Sequence, residues 1–310
     1  MKLMKSIYLP LLITLFFCQN AIALVDYSEE SPSFTPKNSR AKRIPKRKSI
    51  ASLPAPTKSS SGPSGMFELS TDYESINVQS DTAVGKVSKL NFDGYFETNY
   101  NLFLDLSFWT ASSEQIAIAD QSDYQKGNPV AKMGFNFFRH GAVSEMSSID
   151  IFGGASFGAK NSNFATSRTD KIFGVTSSKR FMQFVFGMQY EYRITGAPKD
   201  SVEMGIGNMQ LLSATLGWQV SRDISFFLEG GTVKIAGKND ADRELSLGEK
   251  VSFGYVNPEL QLGISPSVQL SLGAIFRTKR LRQENIVAAK LWDVKGSYGS
   301  SIIAGLKLSI

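Results

Sequence analysis

FMQFVFGMQYEYR, residues 181–193, alternates large apolar side chains with polar or small ones. Met182, Phe184, Phe186, Met188, Tyr190 and Tyr192 share one parity; Gln183, Val185, Gly187, Gln189, Glu191 and Arg193 share the other. A period of two marks a β-strand with one apolar face. Read whole, the strand is about twice the usual globular length of ~5–6 residues. An apolar face this long, ending in aromatics, needs either a second sheet or lipid to cover it.

The same alternation continues to the end of the chain. It predicts about twelve strands (ten to fourteen fit the pattern), near 66–78, 86–97, 101–111, 129–138, 148–159, 171–177, 181–193, 209–220, 224–235, 250–264, 268–277 and 298–310. Leu90, Phe92 and Phe96 line one apolar face, Leu102, Leu104, Leu106 and Phe108 the next, and Ile302, Leu306 and Leu308 the last. The parity changes near Asn257-Pro258, where a bulge is expected. On this parse long connections, such as 111–128 and 195–208, alternate with tight ones at TNY, SSKR, SRD and SPS, only RHGAVSEMS (139–147) being longer on the short side. Sorting of loop length by side is the habit of an up-and-down transmembrane barrel. A soluble sandwich or a lipocalin-like barrel has no reason to do this, but remains the alternative. Apart from the leader, the sequence holds no apolar run of the ~18 residues that a membrane-spanning helix needs.

Residues 1–23 read as a signal peptide: Lys2 and Lys5, the apolar run Ile7–Phe17, and Ala21-Ile22-Ala23 as the cleavage site. A lipoprotein signal through LFFC is the weaker alternative, because Phe17 stands where a small residue is wanted. Cleavage before Leu24 removes Cys18, the one cysteine, and with it any disulfide or thiol chemistry. Residues 24–65 form a Pro/Ser-rich segment that cannot bury enough apolar surface to offset its ordering entropy, and are expected to be a disordered basic arm. Of the 34 basic residues ten precede residue 66, whereas of the 28 acidic ones only three do. The pI of about 9.2 therefore belongs to the leader and arm, and 66–310 is near neutral. Lys37, Arg40, Lys42, Arg43, Lys46, Arg47 and Lys48 are candidates to bind an anionic partner such as peptidoglycan or another envelope polymer. A plain solvated spacer is the competing reading.

A cleaved leader, a dozen alternating segments and an apolar C-terminal strand together resemble a Gram-negative outer-membrane β-barrel protein. The final SSIIAGLKLSI is similar to the signal by which that class is recognised by its barrel-assembly machinery, with Gly305, Leu308 and Ile310 at the expected spacing. Two departures are the terminal Ile310, where Phe or Trp is usual, and Ile303, where a polar residue is common. The resemblance is architectural. It implies an all-β, antiparallel transmembrane barrel over 66–310, contact with outer-membrane lipid, and an outer-membrane location with the arm in the periplasm. It implies no particular solute. Tyr190, Tyr192, Phe108, Trp109 and Trp218 are expected in the interfacial girdles.

With the apolar faces outward, the other parity faces the lumen. Its acids include Glu68, Asp72, Glu74, Asp93, Glu97, Asp105, Asp150, Glu191 and Glu229, and its bases Lys89, Lys132, Arg193, Arg277 and Lys307. This polar, acid-tilted interior suits a narrow channel for small polar or cationic solutes. Mutual pairing across a filled lumen is the alternative. That second reading makes the protein a non-conducting structural or adhesive barrel, working through its arm and outer loops such as 277–297. Enzymatic, metal and cofactor roles are not expected. The single histidine, His140, sits in the turn FRHGAVSEM, and no other histidine or retained cysteine is available. Nucleic-acid binding is not expected either, since the leader directs the chain away from it.

Overall fold

The computed structural model describes residues 66–79, 84–98, 100–114, 123–141, 145–159, 162–200, 203–238, 246–278 and 286–309. The leader, the arm with its seven candidate basic residues, and Ile310 lie outside them. Thirteen strands follow in order: β1 (Met66–Gln79), β2 (Val84–Glu97), β3 (Leu102–Glu114), β4 (Gln125–Lys126), β5 (Val130–His140), β6 (Ser147–Ser156), β7 (Asp170–Phe181), β8 (Phe184–Ile194), β9 (Met209–Gln219), β10 (Ile224–Ile235), β11 (Val251–Ser265), β12 (Val268–Arg277) and β13 (Gly299–Ser309). The two-residue β4 is a rim ladder on β3. The other twelve pair antiparallel with their chain neighbours, and β1 pairs with β13 from Glu68↔Ser309 to Val78↔Gly299. The sheet closes into a twelve-stranded barrel. Closure leaves no unpaired edge, the condition for carrying backbone through lipid.

Most strands have 10 to 15 residues, enough to cross the ~30 Å hydrocarbon core when tilted. Their outward residues form an apolar belt: Phe67, Leu69, Leu102, Leu104, Leu106, Phe108, Phe186, Met188, Leu212, Leu216 and Ile302 are all exposed. Among the described residues nothing covers these side chains, and lipid is the solvent that suits them. Tyr190 and Trp218 stand outward as expected, but Trp109 does not. Adjacent residues of a strand face opposite ways, so with Phe108 outward Trp109 points in, and it is 4% exposed.

FMQFVFGMQYEYR itself needs correcting. Phe181 pairs with Phe184 across a two-residue turn, Met182-Gln183, with Met182 in the left-handed region at φ 51°. The strand is β8, 11 residues long. SSKR, expected as the turn, is the end of β7, with Ser177 opposite Met188 and Arg180 opposite Val185. A polar run at a barrel rim reads like a turn because the strand there leaves the apolar belt. Two further expectations fail. The first connection spans only 80–83, so it is short although it lies on the long-loop side. Nor does β11 bulge at Asn257-Pro258: the register with β10 runs unbroken through Leu228↔Pro258, and the shift against β12 lies between Gly263 and Ser265. The apparent parity change has another cause. Phe253 and Tyr255 face inward, in line with Asn257, Glu259 and Gln261.

Candidate functional site

The interior has two zones. Towards the long connections, many inward positions of β1–β3 and β10–β12 are apolar: Ile76, Val78, Val87, Trp109, Ala111, Val233, Ile235, Phe253 and Ile275 are buried in one cluster. The connections fold in to fill it. Phe164 comes from the β7 approach, Met204 and Ile206 from the β8–β9 connection, and Leu247 from the β10–β11 connection. The largest share comes from the β12–β13 connection, through Val287, Ala289, Leu291, Trp292, Val294 and Tyr298. A 3₁₀ turn (Ile286–Ala289) begins this insertion. The Trp292 ring lies 4.1 Å from that of Tyr298 and edge-on to Phe164 at 5.5 Å. Residues 277–297 were expected to be an outer binding loop; the described half, 286–297, is instead a plug inside the barrel. IVAAKLW is too apolar to remain in water.

Charged groups of the strands and of the β6–β7 connection tie the plug down. Arg193 donates to Glu191 at 2.6 Å and also to Asp293 of the plug. Lys295 pairs with Glu229 at 2.6 Å. Lys89 Nζ donates to the Trp292 carbonyl at 3.1 Å and lies 4.9 Å from the Trp109 ring centre. Arg277 donates to the Ser297 carbonyl at 2.9 Å. Arg168, buried at 2%, pairs with Asp170 and Glu203 and donates to the Ala289 carbonyl at 3.1 Å. Asp293 feels opposing influences. Burial pushes its carboxyl up, but the Arg193 charge and hydrogen bond, with Arg168 and Lys89 further off, hold it below the usual carboxylate range.

Beneath the plug lies a cavity of about 210 Å³. Its wall takes in Glu68, Asp72, Glu74, Lys89, Asp93, Asp105, Lys132, Arg193 and Lys307 from the strands, and Asp293 and Lys295 from the plug. Of the residues expected to line the lumen, Asp72, Lys89, Asp93, Asp105, Lys132 and Arg193 are thus brought together here. Glu191 and Glu229 line a second cavity of about 130 Å³ beside Asp293 and Lys295. Glu97 stands apart at the short-turn rim, held by Arg139 at 2.9 Å and the Tyr95 hydroxyl at 3.0 Å. Arg277 is taken up by the plug backbone. Asp150 accepts from Asn136 at 2.6 Å. Gly305 of the expected assembly signal sits inward, where a Cβ would meet Asp72 Oδ1 and Ser271 Oγ; Leu308 points outward. His140 is exposed at the end of β5, its ring 6.1 Å from that of Phe138. Among the described residues no His, Cys, Asp and Glu cluster is arranged to hold a metal ion.

Glu259, Gln261, Gln269, Arg168, Glu203, Asp293 and Lys295 escaped the sequence reading. Glu259 and Gln261 shared a segment whose parity was misread, and Gln269 carried no charge to draw notice. The other four lie in connections, where no periodicity tells inside from outside. The one available signal was IVAAKLWDV, apolar where a solvated loop should be polar.

No family model matches the chain, and no curated protein matches it by sequence. Solved structures do. The COG4313 outer membrane channel from Pseudomonas putida F1 overlays with a TM-score of 0.56 at 11% identity, covering 83% of this chain and 99% of that one. The fold is that of an outer-membrane β-barrel. Two looser overlays are the NanC porin, with a TM-score of 0.44 at 10% identity over 78% of this chain and 98% of that one, and a loop-deleted OmpT of Vibrio cholerae, with 0.36 at 10% identity over 80% and 99%. Neither is close enough to bear on function. The barrel shares its closed antiparallel architecture with the Pseudomonas channel.

Proposed function

We propose that the protein is a narrow channel of the Gram-negative outer membrane for small polar or cationic solutes, with its N-terminal arm in the periplasm. One observation carries this reading: a polar, acid-rich cavity enclosed by a barrel whose outer belt is apolar. A barrel needed only as a scaffold gains nothing from carboxyl groups in its interior, and uncompensated buried acids are costly. The overlay with a protein described as an outer membrane channel supports the same reading at the level of fold. On this view the plug is the constriction, and solute moves where segment 286–298 yields. The arm of residues 24–65 is the expected tether to anionic envelope polymer.

The competing reading, a structural or adhesive barrel that does not conduct, draws on the dry cluster around Trp292. Planar-bilayer recording of the refolded barrel separates the two, after heat-modifiable gel mobility has shown that it folded. The channel gives discrete cation-selective steps, and Asp93→Asn with Asp105→Asn lowers the selectivity. A folded, silent barrel refutes the channel and leaves the structural reading.

A further inference from the structure

A charge count of the main cavity leaves a remainder. Each of its five bases lies within 4.0 Å of an acid: Lys89 of Glu74, Lys132 of Glu191, Arg193 of Glu191 and Asp293, Lys295 of Glu229, and Lys307 of Glu68. Asp72, Asp93, Asp105 and Glu259 line the same space, and among the described residues none of them is in an ion pair. Three form a staircase on adjacent strands. Asp72 faces Asn91, two residues from Asp93; Asp93 faces Ser107, two residues from Asp105. Such diagonal neighbours stand roughly 7–8 Å apart. Glu259 faces them from β11.

A second observation points the same way. Asn257 is 2% exposed and lines the cavity, and among the described residues its Oδ1 has no hydrogen-bond partner. Its Nδ2 donates to Glu229 at 3.4 Å, which sets the amide orientation: the flipped amide would press oxygen against a carboxylate. Gln269 Oε1, also on the cavity wall, is likewise without a partner among them. Four carboxyl groups and two amide oxygens therefore surround one space, with no donor to the amide oxygens and no ion pair to the acids among the described residues.

We propose that this cavity binds a small organic dication, of the class of alkyl diamines, between the Asp72–Asp93–Asp105 staircase and the Asn257–Glu259 wall. The acids are spread along the wall and gather at no single point, which disfavours a metal ion and suits charges carried at two ends of a flexible chain. An ammonium donates three hydrogen bonds without demanding a fixed coordination geometry. Two ammonium groups engage acids on separate strands at once, which a monoamine cannot do. The inference rests on the proposed channel only in that the solute must reach the cavity.

The test is isothermal titration of the refolded barrel in detergent micelles with 1,4-diaminobutane, n-butylamine and magnesium chloride. The diamine is expected to bind saturably, one per barrel, and at least about tenfold more tightly than butylamine or magnesium. Asp72→Asn with Asp93→Asn should weaken it by at least about tenfold, while Asp223→Asn, on a tight turn, changes nothing. Removing unpaired acids should not lower the unfolding midpoint, so the double variant is expected to fold; Glu259→Gln is a second route to the same loss. Diamine binding no tighter than butylamine, or indifferent to both variants, overturns the proposal. Bilayer recordings on the same preparation keep the two readings apart. Binding without current refutes the channel and upholds this site; cation-selective current without diamine binding does the reverse.

Discussion

Replacing Arg193 with Met tests what holds the plug. The guanidinium is 6% exposed and joins two carboxylates, Glu191 on its own strand and Asp293 on the plug. Breaking a buried pair by removing one partner costs about 3–5 kcal/mol, because the remaining charge has lost its compensation. Glu191 keeps Lys132 at 3.2 Å, so its share of the loss is small. Asp293 keeps no ion-pair partner within 4.0 Å among the described residues. The low end, about 3 kcal/mol, is therefore expected. Denaturant unfolding of the barrel in lipid vesicles measures it. Trp292 fluorescence reports on the plug separately: its ring is 3% exposed, and release should shift its emission to the red. Adding Asp293→Asn removes the orphaned charge, so the double variant should recover most of the loss. If the single variant falls within about 0.5 kcal/mol of the wild type, or the double is no better than the single, the latch is not electrostatic and the reasoning fails.

The remaining expectations follow from the same geometry. Since the folded carboxyl of Asp293 lies below its unfolded value of about 3.9, its stabilisation is present above that pH and lost as pH falls through the folded value. A Trp fluorescence titration should therefore show plug release below about pH 4. In Arg193→Met, where burial outweighs the more distant Arg168 and Lys89, the dependence should reverse: acid protonates the orphaned Asp293 and favours the docked plug. Trp292→Ala empties the centre of the dry cluster and should cost about 3–5 kcal/mol by the same unfolding assay, with larger single-channel current if the plug is the constriction. Gly127→Val should cost about 1–3 kcal/mol, since even a Cβ there would lie 2.1 Å from the Trp109 ring. His140→Ala should leave stability within about 0.5 kcal/mol and conductance unchanged, the ring being exposed at the rim.

By itself the sequence determined an all-β chain of about twelve strands with one apolar face, the pattern of an outer-membrane barrel; the β1–β13 pairing that closes it is seen only in the structure. The reason is that this information is local. A strand repeats every two residues, so Leu102, Leu104, Leu106 and Phe108 declare their face without any knowledge of their neighbours, and most of the inward carboxylates follow by elimination. Boundaries were less legible, as SSKR and Met182-Gln183 show, because a polar strand end and a turn have the same composition. How the interior is paired and filled was decided by tertiary structure alone. Whether Asp93 meets a base, or Asp293 reaches Arg193 a hundred positions away, depends on strand register and on where a connection folds, and neither leaves a periodic mark. The plug shows this most clearly. Residues 286–298 look like a loop by position and like a core by composition, and only the closed barrel offers the apolar space, ringed by Ile76, Val233 and Phe253, that resolves the conflict.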